Sequence, residues 1–162
     1  MSNRTDAYRG TMTLVGFEPH EINTAESTRS ARLKWVVIVD SSLPAGRQVN
    51  AAVCVAAATT ASVRGLLGPD ALDADRVAHP GLPWAGCTVL GATPQRLASV
   101  RAAASEVFVA DMPALAQETR VYDEYLEQLA ATPTAELRPL AISLIGPRAE
   151  IDRLVKRLSL LP

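Results

Sequence analysis

Most of the side chains able to bind or react fall between Lys34 and Trp84. The loop Ser42-Leu43-Pro44-Ala45-Gly46-Arg47 offers a hydroxyl and a permanently charged guanidinium. Asn50 and Cys54 follow it with an amide and a thiol. Arg47 and Asn50 suit a small ligand that is anionic or carries an amide. Asn50 is out of place in an Ala/Val stretch, so its amide must be hydrogen-bonded or face solvent or a pocket. Lys34 and Asp40 stand as charges at either end of an apolar run, with a structural edge role expected for Lys34. The segment His79-Pro80-Gly81-Leu82-Pro83-Trp84 reads as a stiff, apolar-rimmed loop able to cover a pocket. The expected ligand site is therefore drawn from Lys34, Asp40, Ser42, Arg47, Asn50, Cys54, His79 and Trp84.

Other chemistries find little support. The loop after Asp40 has neither the Gly-Lys-Ser/Thr of a phosphate-binding loop nor a Gly-x-Gly-x-x-Gly fingerprint, and no cofactor is expected. Asp70, Asp73, Asp75 and His79 are metal-ligand types, but their spacing fits no metal motif and Asp is common in turns, so no metal is assigned. A hydrolytic triad needs nucleophile, base and orienter. His20 and His79 are the only imidazoles and no Gly-x-Ser-x-Gly elbow exists. The hydrolytic alternative is Ser42 or Cys54 served by His79 on an ester or amide. Cys54 and Cys87 otherwise read as small apolar side chains, since a reactive thiolate needs a nearby positive group.

These residues require a scaffold to hold them. Trp35-Val36-Val37-Ile38-Val39 is the pattern of a strand buried on both faces. A short loop leads into an Ala/Val-rich helix from Arg47 to Ala61, small enough in its side chains to sit close on a sheet. Further strands are expected at Cys87–Ala92, Glu106–Asp111 and Pro139–Ile145. Helices are expected from Thr93-Pro94 to Ala104 and from Tyr122 to Ala130, the latter with Leu126 and Leu129 inward. A last helix carries Ile151, Leu154, Val155 and Leu158. Residues 64–86, rich in Gly and Pro, either fold on themselves or serve a site. The expected fold is an α/β three-layer α/β/α sandwich around a mixed sheet of about four strands. Residues 1–30 read as an arm laying Met12, Leu14, Val15 and Phe17 on a single domain of residues 31–162.

Composition narrows the function classes. Sixteen Lys and Arg against 17 Asp and Glu leave a net charge of −1. That balance argues against sequence-independent nucleic-acid binding, for which a local basic patch is the remaining route. The two Trp, three Tyr and two Phe are too few for a base-stacking platform. No apolar run reaches the ~20 residues needed to span a bilayer, and the polar start lacks the apolar segment of a secretory signal. Two cysteines fit a reducing cytoplasm, where the protein is expected to reside.

Lys34 to Val39 followed by Leu43, Gly46, Ala51-Ala52 and Cys54 resembles the opening of type II peptidyl-tRNA hydrolases. Ile145-Gly146-Pro147 with Ile151 to Val155 and Leu158-Ser159-Leu160 resembles their close. Thr28-Arg29, Arg32 to Trp35, Leu43 to Gly46, Asn50 to Ala52, His79 to Leu82 and Tyr122 to Tyr125 are similar to a bacterial family catalogued as domain of unknown function 2000. That family is placed in the peptidyl-tRNA hydrolase type II-like fold. The resemblance implies that fold and a homodimer. It also places Ser42 where the hydrolases carry an Asp, Arg47 where they carry a Lys, and Ala56 where they carry a His. With acid and imidazole replaced, the expectation is a ligand-binding protein without peptidyl-tRNA hydrolysis. A self-associating interaction protein is a third alternative.

Overall fold

The computed structural model describes residues 15–162, so the expectations for Met12 and Leu14 lie outside the described residues. Its strands are β1 (Leu33–Asp40), β2 (Ala71–Leu72), β3 (Ala78–His79), β4 (Thr88–Ala92), β5 (Phe108–Pro113), β6 (Pro139–Pro147) and β7 (Ser159–Leu160). Its helices are α1 (Ala45–Ser62), α2 (Pro94–Ala103), α3 (Leu115–Glu118), α4 (Tyr122–Ala131) and α5 (Arg148–Leu154).

The main sheet runs β5-β6-β1-β4-β7, with β1 parallel to β4 and antiparallel to β6. It is a mixed five-stranded sheet, not the four-stranded one expected. The additional strand arises because the last helix stops at Leu154 and does not continue to Leu158. Arg157 takes φ +70°, and the chain turns back to pair Ser159 and Leu160 with the open edge of β4. Edge pairing satisfies backbone groups that a further helical turn would have left the sheet to expose.

Alternation along β1 divides the core. Trp35, Val37 and Val39 face α1, together with Phe108, Met112 and Ile145. Val36 and Ile38 face the other way, onto Leu97 and Val100 of α2 and Ile151 and Leu154 of α5. Helices thus cover both faces of the sheet, as the continuous apolar run in β1 demands.

One polar chain crosses the α1 side of this core. The Trp35 indole donates to Ser143 Oγ at 2.8 Å, and Ser143 Oγ lies 2.6 Å from Thr59 Oγ1. Thr59 also reaches the Val55 carbonyl at 2.7 Å. Thr59 has one hydroxyl hydrogen, so spending it on Val55 leaves Ser143 to donate to Thr59, and every group in the chain is satisfied.

Two expectations about helices need correction. α1 buries only Ala51, Val55 and Thr59, so Cys54 is exposed and not part of the core. An Ala/Val-rich sequence reads as apolar all round, although a helix on a sheet hides a single stripe. α4 buries no residue, and Leu126 faces solvent while Leu129 is half-buried.

Residues 15–32 strap the body. Phe17 is buried, its ring 4.8 Å from that of Trp84, and its N–H donates to the Arg64 carbonyl. Arg32 grips both Glu21 carboxylate oxygens, at 2.5 and 2.9 Å, and the Gly16 carbonyl at 3.0 Å. The hydrogen bond from Arg32 holds the Glu21 carboxyl down at about 2, against an ordinary 4.5. A depressed folded-state pKa contributes stability above the unfolded value. The contribution declines from about pH 4.5 and is gone as pH falls through about 2. The difference in thermal midpoint between wild type and Arg32→Ala should therefore be largest near neutrality and narrow across that window. Because the pair is exposed, the effect is small.

Candidate functional site

A hollow of about 530 Å³ lies between α1 and the α3–α4 segment beside the edge strand β5. Cys54, Val55 and Ala57 form one wall; Arg120, Tyr122 and Tyr125 form the other. Asp111 and Met112 of β5 make its floor. Met112 pairs with Ala141, which pairs with Val39, so the floor lies at the level where β1 ends. The groove thus sits toward the carboxyl end of β1, where ligands of open α/β sheets collect.

A shallower hollow continues from it past Ala116 to Gly46, Arg47, Asn50 and Gln117. Gln117 organises this end. Its side chain accepts from Arg47 Nε at 2.6 Å and donates to Asn50 Oδ1 at 3.0 Å and to the Arg47 carbonyl at 3.2 Å. Asn50 therefore fixes α3 to α1. The loop before α1 is held by Gln48, which donates to the Leu43 carbonyl at 2.6 Å. Arg47 keeps its terminal nitrogens without a partner among the described residues.

Arg120 has no ion pair or hydrogen bond among the described residues, whereas Asp111 is held by Arg101 at 2.6 Å. The Tyr122 and Tyr125 rings stand 5.6 Å apart. Partial burial, then Tyr122 and Asp111, push the Tyr125 phenol upward, so it stays protonated and can donate. The arrangement is an apolar trough with aromatic and cationic groups at its rim.

The other expected site residues go elsewhere. Asp40 is buried at the end of β1, where Oδ1 accepts from Ser42 N at 2.9 Å and Ser42 Oγ at 2.5 Å. Ser42 is thus committed to closing a turn. Lys34 lies six residues back along the strand, about 20 Å away at ~3.3 Å per residue. There it pairs with Asp152 at 2.5 Å. Trp84 packs on Phe17 and donates to the Gly65 carbonyl at 2.8 Å, so it sits half-buried against the α1-side core, away from the α1–α4 groove.

Residues 64–86 fold on themselves into an antiparallel arm. Leu67 bridges Pro83, Ala71 pairs with His79, and Leu72 with Ala78. The carboxylates there serve local donors: Asp73 accepts from the amides of Asp75 and Val77 and meets His79 Nε2 at 3.1 Å, while Asp70 accepts from Gly81 N. His79 hydrogen-bonds Asp73 and neither Ser42 nor Cys54.

Gln117, Arg120, Tyr122 and Tyr125 escaped the sequence reading as site residues. Tyr122-Asp123-Glu124-Tyr125 reads in the sequence as a helix start and as a motif of the family resemblance, and nothing there links it to α1.

The sequence profile of a family described as Protein of unknown function (DUF2000) matches residues 33–162. No curated protein matches the chain. Among solved structures, that of a protein of unknown function from Agrobacterium tumefaciens is 14% identical, covering 80% of this chain and 97% of that one, with a TM-score of 0.74. At that identity the likeness is one of fold.

Proposed function

We propose, from the premise that this chain belongs to the family described as Protein of unknown function (DUF2000), that it binds a small molecule in the groove between α1 and α4. The ligand class is an aromatic or aliphatic body carrying an anionic group. The carrying observation is Arg120 at the rim of a largely apolar trough of about 530 Å³, beside Tyr122 and Tyr125 and with no ion pair among the described residues, the nearby Asp111 being held by Arg101. A hollow of that size suits a drug-sized molecule, with a few polar groups to orient it. Peptidyl-tRNA hydrolysis is not part of this reading, although a peptidyl-tRNA hydrolase-like fold is. In support, the position that the resemblance assigns to an acid holds Ser42, and that hydroxyl is spent on Asp40. Two unpaired cysteines support a cytoplasmic home, and no helix among the described residues is long and apolar enough to cross a membrane.

A thermal-shift screen of acidic metabolites tests the groove. Hits should lose at least half of their shift in Arg120→Ala, and a smaller part in Arg47→Ala. Hits that survive both substitutions unchanged place the ligand elsewhere.

A second reading, self-association, is favoured by the arm. All of residues 69–80 are exposed, and Leu72, Val77 and Leu82 stand in solvent, Leu82 at 79%. An isolated two-stranded hairpin is marginal in water, so a second copy is the partner that would cover it. Sedimentation that shows a monomer at all concentrations removes this reading.

A further inference from the structure

A second hollow, of about 430 Å³, lies at the opposite end of the sheet, where β1 and β4 begin. It is separate from the α1–α4 groove and independent of what binds there. Its lining is polar and basic: Arg29 from the strap, Lys34 from β1 and Arg148 from the start of α5 converge on it. Thr28 and Thr88 add hydroxyls, and Cys87 a thiol.

The charge is unbalanced. Asp152 answers Lys34 at 2.5 Å. Arg148 gives one N–H to the Ala31 carbonyl at 3.2 Å but meets no carboxylate among the described residues. Arg29 has neither an ion pair nor a side-chain hydrogen bond among them. Three cations against one carboxylate leave two guanidinium groups facing the same polar space. Guanidinium forks match phosphoryl and carboxylate oxygens in pairs, and charge-assisted bonds of this type are about twice as strong as neutral ones. The strap lies beside Gly86, which takes φ +72°, a conformation that L side chains rarely adopt. Arg29 and Lys34 are near neighbours in sequence, whereas Arg148 lies far along the chain and only the fold brings it to them.

We propose that this hollow is an oxyanion site, taking the phosphoryl or carboxylate group of a small metabolite between Arg29, Arg148 and Lys34. Desolvation by its surroundings pushes the Cys87 thiol up to about 12, even though part of its surface is open to water. At neutral pH it is a neutral wall group and no nucleophile.

Titration calorimetry on the full chain at low salt, with inorganic phosphate, pyrophosphate and citrate as probes and chloride at matched ionic strength as the blank, tests the site. At least one probe should bind with one-to-one stoichiometry. Its Kd should rise about tenfold in Arg29→Ala and again in Arg29→Ala with Arg148→Ala, with partial recovery in Arg148→Lys. Arg120→Ala should leave it unchanged, which separates this site from the groove. Preference for pyrophosphate identifies a phosphoryl ligand, and preference for citrate a carboxylate. Arg29 is exposed, so its substitution leaves the fold intact and the result readable even where Arg148→Ala unfolds the chain. No binding above the chloride blank, or a Kd within twofold of wild type in Arg29→Ala, overturns the proposal.

Discussion

Trp35→Ala should destabilise the protein by about 3–5 kcal/mol, measured by urea unfolding followed by far-ultraviolet circular dichroism. Trp35 is buried at the centre of the α1-side core and carries the donor that begins the Trp35-Ser143-Thr59 chain. The hydrogen-bond share of that loss can be isolated. Ser143→Ala leaves the indole N–H buried with no acceptor, a penalty of about 1–3 kcal/mol, while Thr59 keeps its bond to the Val55 carbonyl. In a Trp35→Phe background no such donor exists. The same Ser143→Ala change should then cost less than about 1 kcal/mol, because the remaining loss is one hydroxyl pair. Equal costs in both backgrounds would mean that the indole finds another partner and that these three groups are not coupled.

The same strand shows what the sequence could reveal. Five apolar residues in a row between Lys34 and Asp40 have one stable placement, the interior of a sheet covered on both sides, and β1 occupies it. Four strands and most helices followed from such local patterns. β7 did not, because Ser159 and Leu160 are too short a run to show a period and are strand only by virtue of the β4 edge beside them. The arm of residues 64–86 was hidden for a related reason: its Gly and Pro residues announce turns but not which turns pair.

The site was legible on one wall only. Arg47, Asn50 and Cys54 stand out because they interrupt an Ala/Val helix; Cys54 lines the groove, and Arg47 and Asn50 line the neighbouring hollow. The facing wall, Gln117 to Tyr125, is about seventy residues on, and no local period marks a side chain that works across a gap. Lys34 and Ser42 looked like neighbours through sequence proximity, yet an extended strand carries them to opposite ends of the sheet. Lys34 instead joins Arg29 and Arg148. Asp40 is informative in another way. Its Oδ2 is buried without a hydrogen-bond partner among the described residues, while Oδ1 takes both bonds from Ser42. The carboxylate closes the turn into α1 at some desolvation cost, which a sequence reading of a terminal charge does not anticipate.

Gly81→Val should open the arm while sparing the body. A Cβ at Gly81 would stand 1.9 Å from the Gly68 carbonyl oxygen and 2.7 Å from its carbon, both backbone atoms that no rotamer change can move. The clash falls between the Leu67–Pro83 bridge and the Ala71–His79 pair, so the two strands must separate there. Protection from hydrogen exchange at the amides of Gly68, Asp73 and Gly81 should fall by tenfold or more. Trypsin should cut after Arg76 at a correspondingly higher rate. Amides of β1 should keep their protection, because residues 69–80 are exposed and their release uncovers little apolar surface. If the arm covers a second copy of the chain, the same variant should sediment as a monomer at concentrations where wild type does not. Loss of protection in β1 together with the arm would instead show that the hairpin is an integral part of the core's cooperative unit, and the self-association reading would lose the separable appendage on which it rests.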